Sequence, residues 1–422
     1  METLKLNSDV KVIKVKDEKK VYIRIMFILP NTLKNLDRYK LKLVNRMLNT
    51  SSNNYRTVKD FNNMLDRNYI INYRITTGSF INKKAIMINM VVPKEGIIDE
   101  FSYDNTFKIL YELIFNPFVE DDHFDKERFE WEKKILLNDL KNEYFSLYEE
   151  GYEEINKFID EDEEHFLRRD TRRKLIEEAD EYNTYQYYLD NIKNNDYFTY
   201  IYGGIVDEDK IIESFTKYFK QDKKEWNLKI KRDYLYPYKD YKSKIIKTKY
   251  QQSAIELCYQ VKNINKKDIN MMKMLSFFLY SRENNLLFNA LRVKNSLVYE
   301  TYVNFDIIYG LLIIEVLFDK KDLDSIKRII KEVIDSVRDE KLFNKYKKNL
   351  MKSLKYENLS NRDDSLYEVY EYLKKELKYA DTFKYIYNSM NKIKYEDMVE
   401  FLDRFVLSRE ILLEGDNDGK NN

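Results

Sequence analysis

Ile201-Tyr-Gly-Gly-Ile-Val-Asp207 and Ile411-Leu-Leu-Glu-Gly-Asp416 lie about 200 residues apart and resemble each other. Each is a short apolar run that ends in glycine and aspartate, which reads as a strand leaving a sheet through a turn. Ahead of each, the same order of elements recurs. In the first half, Val10 to Val15 alternates apolar and charged residues, and Val21 to Leu29 is nearly continuous and apolar. Both read as strands. Lys34 to Leu48 and Val58 to Leu65 read as helices, and Ile70 to Thr76 with Ala85 to Val92 as a hairpin around Gly78. Phe101 to Phe115 is an amphipathic helix with Phe107, Leu110, Tyr111, Ile114 and Phe115 on one face, ended by Pro117. Asp125 to Tyr152 reads as one long charged helix striped by Phe129, Leu136, Leu140, Tyr144 and Tyr148, with more helix to Asn191.

The second half repeats this. Lys244 to Val261 is strand-like, Lys266 to Tyr280 is a helix, and a shorter helix ends at Arg292. Leu297 to Phe305 and Leu311 to Phe318 form a hairpin. Leu323 to Val337 is amphipathic, with Ile326, Ile330, Val333 and Val337 inward, and helices continue to Phe405. A repeat this long implies a duplicated domain, not a solenoid. The expected fold is α+β, with two like domains, each a mixed sheet backed by helices. Residues 1–220 form the first and 242–422 the second. Gln221 to Tyr241 is polar, carries Pro237 and reads as the linker.

The 422 residues suit two domains. Lys+Arg number 74 and Asp+Glu 73, a balance that gives no reason to expect nucleic acid or a membrane surface as partner. Cys258 is the single cysteine, so no intrachain disulfide can form. It reads as a buried strand residue, and a reducing compartment suits it. Met1 to Lys20 lacks an apolar core, so no signal peptide is expected and a cytoplasmic setting is the default. The histidines are His123 and His165, 42 residues apart, each beside carboxylates. They read as ion-paired surface residues. A loose metal contact of His165 with Glu161 and Glu164 is the weaker alternative.

The order of elements, with the sequence around Asn116-Pro-Phe and Leu291-Arg, resembles the pitrilysin or insulinase superfamily over nearly the whole chain. The resemblance implies half of a metallopeptidase clamshell, of the size of the processing-peptidase-like branch built from paired chains. In that family the first helix carries His-x-x-Glu-His. Its two histidines bind zinc from one helix face and its Glu activates the zinc-bound water. A later helix adds a further acidic ligand. Anchored on Met47-Leu48, the corresponding residues here are Lys42, Asn45 and Arg46. Lys and Arg are donors only, and Asn cannot act as a base. The later ligand aligns with Asp139, and Glu132 stands where the family often keeps a supporting Glu; a solvated helix face is the plainer reading of both acids. No zinc is expected in this chain.

The second half keeps Leu291-Arg292-Val-Lys-Asn-Ser-Leu-Val-Tyr299, which resembles the family's Arg-Tyr motif. The resemblance implies that Arg292 and Tyr299 hold substrate backbone and a developing oxyanion, as a guanidinium and a phenol can. Ser296 replaces a preferred Gly, which costs energy if that position needs positive φ. The plainer alternative is an Arg paired with a nearby acid and a Tyr packed in a strand.

This combination resembles the zinc-lacking partner chain of low-GC Gram-positive bacteria, described as associated with 5-aminopentanol modification of elongation factor P. It implies a non-catalytic subunit that binds a peptide or unfolded segment in a shared chamber, beside a zinc-bearing paralogue. The alternatives are a structural core-type subunit of a membrane complex and a stand-alone peptide-binding protein.

Overall fold

The computed structural model describes residues 2–7, 10–16, 18–29, 35–80, 83–142, 147–159, 167–220, 225–230, 238–281, 285–306, 310–361 and 383–416. They fall into two compact units. The first runs to Asn142 and resumes from Leu167 to Arg232; the second begins at Asp233 and also holds the helix Leu147–Ile159.

The first unit is organised by the apolar strand Lys20–Ile28. Val21, Ile23, Ile25 and Phe27 all point into one core. The strand pairs antiparallel with Lys83–Pro93 on one side and Tyr197–Gly203 on the other. Asn72–Phe80 extends the sheet beyond Lys83–Pro93, and Lys11–Lys14 lies parallel to Tyr197–Gly203 at the opposite edge. Helices Asn35–Thr50, Tyr103–Phe115 and Lys126–Lys141 bury Leu43, Phe107 and Phe129 against the same core.

The second unit repeats the strand order. Ser253–Val261 is flanked by Leu311–Phe318 and Phe405–Glu414, with Val298–Asp306 at one edge and the parallel strand Lys242–Lys247 at the other. Ile255 and Leu257 face a core built with Lys266–Leu279, Leu323–Asp335 and Tyr395–Arg404. Ala254 and Cys258 face the other way, into a smaller core closed by Leu147 and Ile155.

The closing motifs have a steric reason. Gly203 has φ of 130° and Gly204 follows it; a Cβ at either would run into the carbonyl of Lys20 or Glu18. Gly415 meets the Gln252 carbonyl in the same way. Both strands therefore leave their sheet by passing tightly over the chain that enters the neighbouring strand.

Several elements differ from the sequence reading. The stretch Asp125–Tyr152 is two helices. Lys126–Lys141 buries Leu136 and Leu140 in the first unit, whereas Leu147–Ile159 packs on the second sheet. Lys244–Val261 divides into an edge strand and a central strand. Gly78 is paired with Ala85 inside its strand and is not at the hairpin turn. In Leu323–Asp335 the buried residues are Ile326, Ile329, Ile330 and Ile334, and Val333 is only half-buried. Within the stretch read as linker, Glu225–Ile230 is a strand paired with Glu2–Asn7. Tyr144 and His165 lie outside the described residues. Among those described, no helix is long and apolar enough to cross a membrane.

Candidate functional site

Lys42, Asn45 and Arg46 sit on the helix Asn35–Thr50, and their surroundings differ. Lys42 is exposed, with its ammonium 5.1 Å from the centre of the Tyr39 ring. Asn45 is buried, and its Oδ1 accepts no hydrogen bond. Arg46 reaches across to the helix Lys126–Lys141. Its Nε donates to Glu132 Oε2 at 2.9 Å, and its Nη1 donates to Asp139 Oδ2 at 3.2 Å. Glu132 and Asp139 are seven residues apart, two turns of one helix, so one guanidinium spans both.

Glu132 is not a solvated surface acid; only 1% of the residue is exposed. Burial of a carboxylate demands partners, and it has them. Besides Arg46, Glu132 Oε1 accepts from Arg128 one turn earlier and from Thr50 Oγ1 at 3.1 Å. Asp139 keeps a 60% exposed side chain and accepts from Arg46. The reading of Glu132 as part of a solvated face is therefore corrected, whereas Asp139 does lie on an exposed face: Arg46 and Arg128 tie the two helices together through the buried Glu132. Arg128 and Thr50 are the residues that sequence reasoning missed. The spacing Arg128 to Glu132 was a visible helix pair.

This arrangement does not suit a zinc ion. The carboxylate lone pairs a metal would need already accept from Arg46, and a guanidinium offers none in return. Among the described residues, no three His, Cys, Asp or Glu side chains converge as a metal site would require. His123 lies elsewhere, half-buried, its Nδ1–H donating to the Phe124 carbonyl at 2.8 Å. That bond replaces the ion pair expected for it.

In the second unit, Arg292 ends the π-helical turn Asn289–Val293, and Tyr299 lies on the edge strand Val298–Asp306. Ser296 joins them with φ of 51°, a left-handed value that favours glycine. Its amide donates to the Arg292 carbonyl at 2.9 Å, and the Leu297 amide donates to Leu291 at 2.9 Å. Arg292 Nη1 donates to the Tyr299 carbonyl, and Tyr299 Oη donates to Asp319 Oδ1 at 3.2 Å. The negative charge of Asp319 holds the phenol above its ordinary range. Both side chains are exposed. The pair is thus brought together at one sheet edge, on the surface.

Residues 183–350 match the family described as Peptidase M16 inactive domain. The whole chain shares its fold with solved structures. A conserved protein from Enterococcus faecalis matches with a TM-score of 0.79 and 18% identity, over 98% of this chain and 97% of that one. A peptidase M16 inactive domain from Pseudomonas fluorescens matches with a TM-score of 0.70 and 11% identity, over the full length of both. A protease from Helicobacter pylori matches with a TM-score of 0.69 and 11% identity, over 98% and 99%. The architecture is therefore an M16-like fold, as in these structures. No curated protein sequence matches the chain.

Proposed function

We propose that this chain is a non-catalytic pitrilysin-type subunit, which binds a peptide or unfolded segment in a chamber shared with a zinc-bearing paralogue. The observation that carries the reading is Arg46, which engages Glu132 and Asp139 where a catalytic chain would need lone pairs for a metal. The match of residues 183–350 to an inactive-domain family supports it. In this reading Arg292 and Tyr299 are the chain's contribution to the partner's site. Both are donors, exposed, and seven residues apart on a turn and a sheet edge. A cytoplasmic setting accords with a single buried thiol. The association with elongation factor P modification is an extension of the resemblance alone.

One observation favours the scaffold reading instead. Arg292 and Tyr299 already have partners within the chain, the Tyr299 carbonyl and Asp319. A donor tied to its own strand serves structure unless substrate displaces it. Copurification from the native cell tests the proposal. A zinc-bearing paralogue supports it, whereas a membrane complex or a homodimer alone overturns it.

A further inference from the structure

Beneath the helix Leu147–Ile159, Glu256 and Glu315 stand directly opposite each other on neighbouring antiparallel strands. Both point to the sheet face that this helix covers, the face of Ala254, Cys258 and Ile313. Glu256 is fully buried. Apart from the other carboxyl of the pair, neither of its oxygens, nor Oε1 of Glu315, meets a hydrogen-bond donor. The helix comes closest at Gly151, where a Cβ would collide with Glu256 Oε1. The helix backbone therefore rests on the carboxyl group itself. Two carboxylates opposed in an apolar layer cannot both ionise. One must keep a proton, and it can then donate that proton to the other.

We propose that the protonated pair of Glu256 and Glu315 keeps the helix Leu147–Ile159 seated, and that ionisation of the pair releases the helix and uncovers the sheet face.

The charged groups around the pair do not neutralise it. On the helix, Lys157 is engaged by Glu153 at 3.2 Å and Glu154 at 2.8 Å, and Lys244 from the edge strand also binds Glu154 at 2.9 Å. Glu150 receives the Tyr250 hydroxyl at 3.4 Å. Arg409, opposite Cys258 on the next strand, donates to the carbonyls of Asp240 and Ser408. Beyond Glu315, Tyr302 pairs with it across the strands, and Glu300 adds negative charge. Burial, then the charge of Glu315, push Glu256 well above the carboxylate range. Burial pushes Glu315 up to about 8. Glu315 ionises first, near pH 8, and release begins there.

Cys258 lies on the covered face and is the only thiol in the chain, so its accessibility reports the helix. The full-length protein is labelled with a small thiol reagent from pH 6.5 to 9, each rate divided by that of a free cysteine peptide at the same pH. The normalised wild-type rate should rise at least tenfold between pH 7 and 9. In the double variant Glu256→Gln, Glu315→Gln it should stay flat, because no carboxyl of the pair remains to ionise. A flat wild-type rate, or an equal rise in the double variant, overturns the proposal. If that variant does not fold, hydrogen exchange on the wild type decides. Amides of 147–159 should lose protection above pH 8 while those of the strand Leu311–Phe318 keep it. Uniform loss, or none, also overturns it.

Discussion

The guanidinium of Arg46 binds the buried carboxylate of Glu132, Nε to Oε2 at 2.9 Å, across 86 positions of sequence. A fixed positive charge thus sits between two acids that the family resemblance places beside a zinc ion. A guanidinium offers only donors, so it occupies the place of a metal ion without being able to ligate one.

The three partners should differ in energetic weight. Glu132→Ala leaves Arg46 and the largely covered Arg128 without a common acceptor, and should cost roughly 3–5 kcal/mol, as for a broken buried pair. Arg46→Ala leaves Glu132 with Arg128 and Thr50 and should cost about 1–3 kcal/mol. Asp139→Ala removes an exposed contact worth about 0–1 kcal/mol. Denaturant unfolding measures all three, and a different order would contradict the assignment of Glu132 as the central acid.

Purified without added metal, the chain should carry no stoichiometric zinc and no peptidase activity. The triple variant Lys42→His, Asn45→Glu, Arg46→His should take up zinc, since Lys42 and Arg46 are one turn apart on one helix and Asp139 faces position 46. Elemental analysis distinguishes the two proteins. Tight zinc in the unaltered chain would refute the reading of the site.

Stability should fall as pH rises through the window set by Glu315. Its folded pKa is raised to about 8 by burial, against an ordinary 4.5. Between these values the folded state holds a proton that the unfolded chain has released. For this group the slope is then negative, at most about 1.4 kcal/mol per pH unit, and its contribution ends above pH 8. Glu315→Gln should make the fall of the denaturation midpoint shallower across the same range.

Ser296→Gly should stabilise the turn by up to about 1 kcal/mol, because a left-handed φ of 51° strains a residue with a Cβ. Ser296→Val should destabilise it, since a branched Cβ tolerates that region least. Thermal unfolding of the two variants should bracket the wild type.

The sheets were legible because the first central strand is an apolar run, Val21 to Leu29, the second lies within the strand-like stretch Lys244 to Val261, and the strands around them follow one order. What periodicity could not show was which surface a stripe meets. The helical period runs on from Leu140 to Tyr148, yet Leu140 and Leu147 enter different cores. Pairing of Glu2–Asn7 with Glu225–Ile230 joins distant segments, beyond the reach of any local pattern. The helix Glu208–Tyr218 was passed over although Ile211 and Phe215, a turn apart, marked its buried side. At the site, the replaced residues could be named, but the tie between the helices could not. Nothing near Arg46 in the chain indicates that its partner is Glu132.

Arg292 and Tyr299 provide the decisive test of function. If the chain completes a partner's active site, these two donors should face a carbonyl oxygen as it gains charge. Such a bond strengthens towards the transition state, so its loss should lower turnover more than peptide binding. Arg292→Ala and Tyr299→Phe in the reconstituted pair should each reduce kcat by roughly 10²–10³, as for other oxyanion donors, with KM little changed. Asp319→Asn supplies the counter-test. It weakens the acceptor that holds the Tyr299 hydroxyl at 3.2 Å, so a phenol that must turn to substrate should lose little activity, whereas one serving structure should lose stability instead. Assembly is checked first by size-exclusion chromatography. Wild-type turnover in an intact Arg292→Ala or Tyr299→Phe complex would make the pair a fastener between turn and strand, and the chain a scaffold without a part in the chemistry.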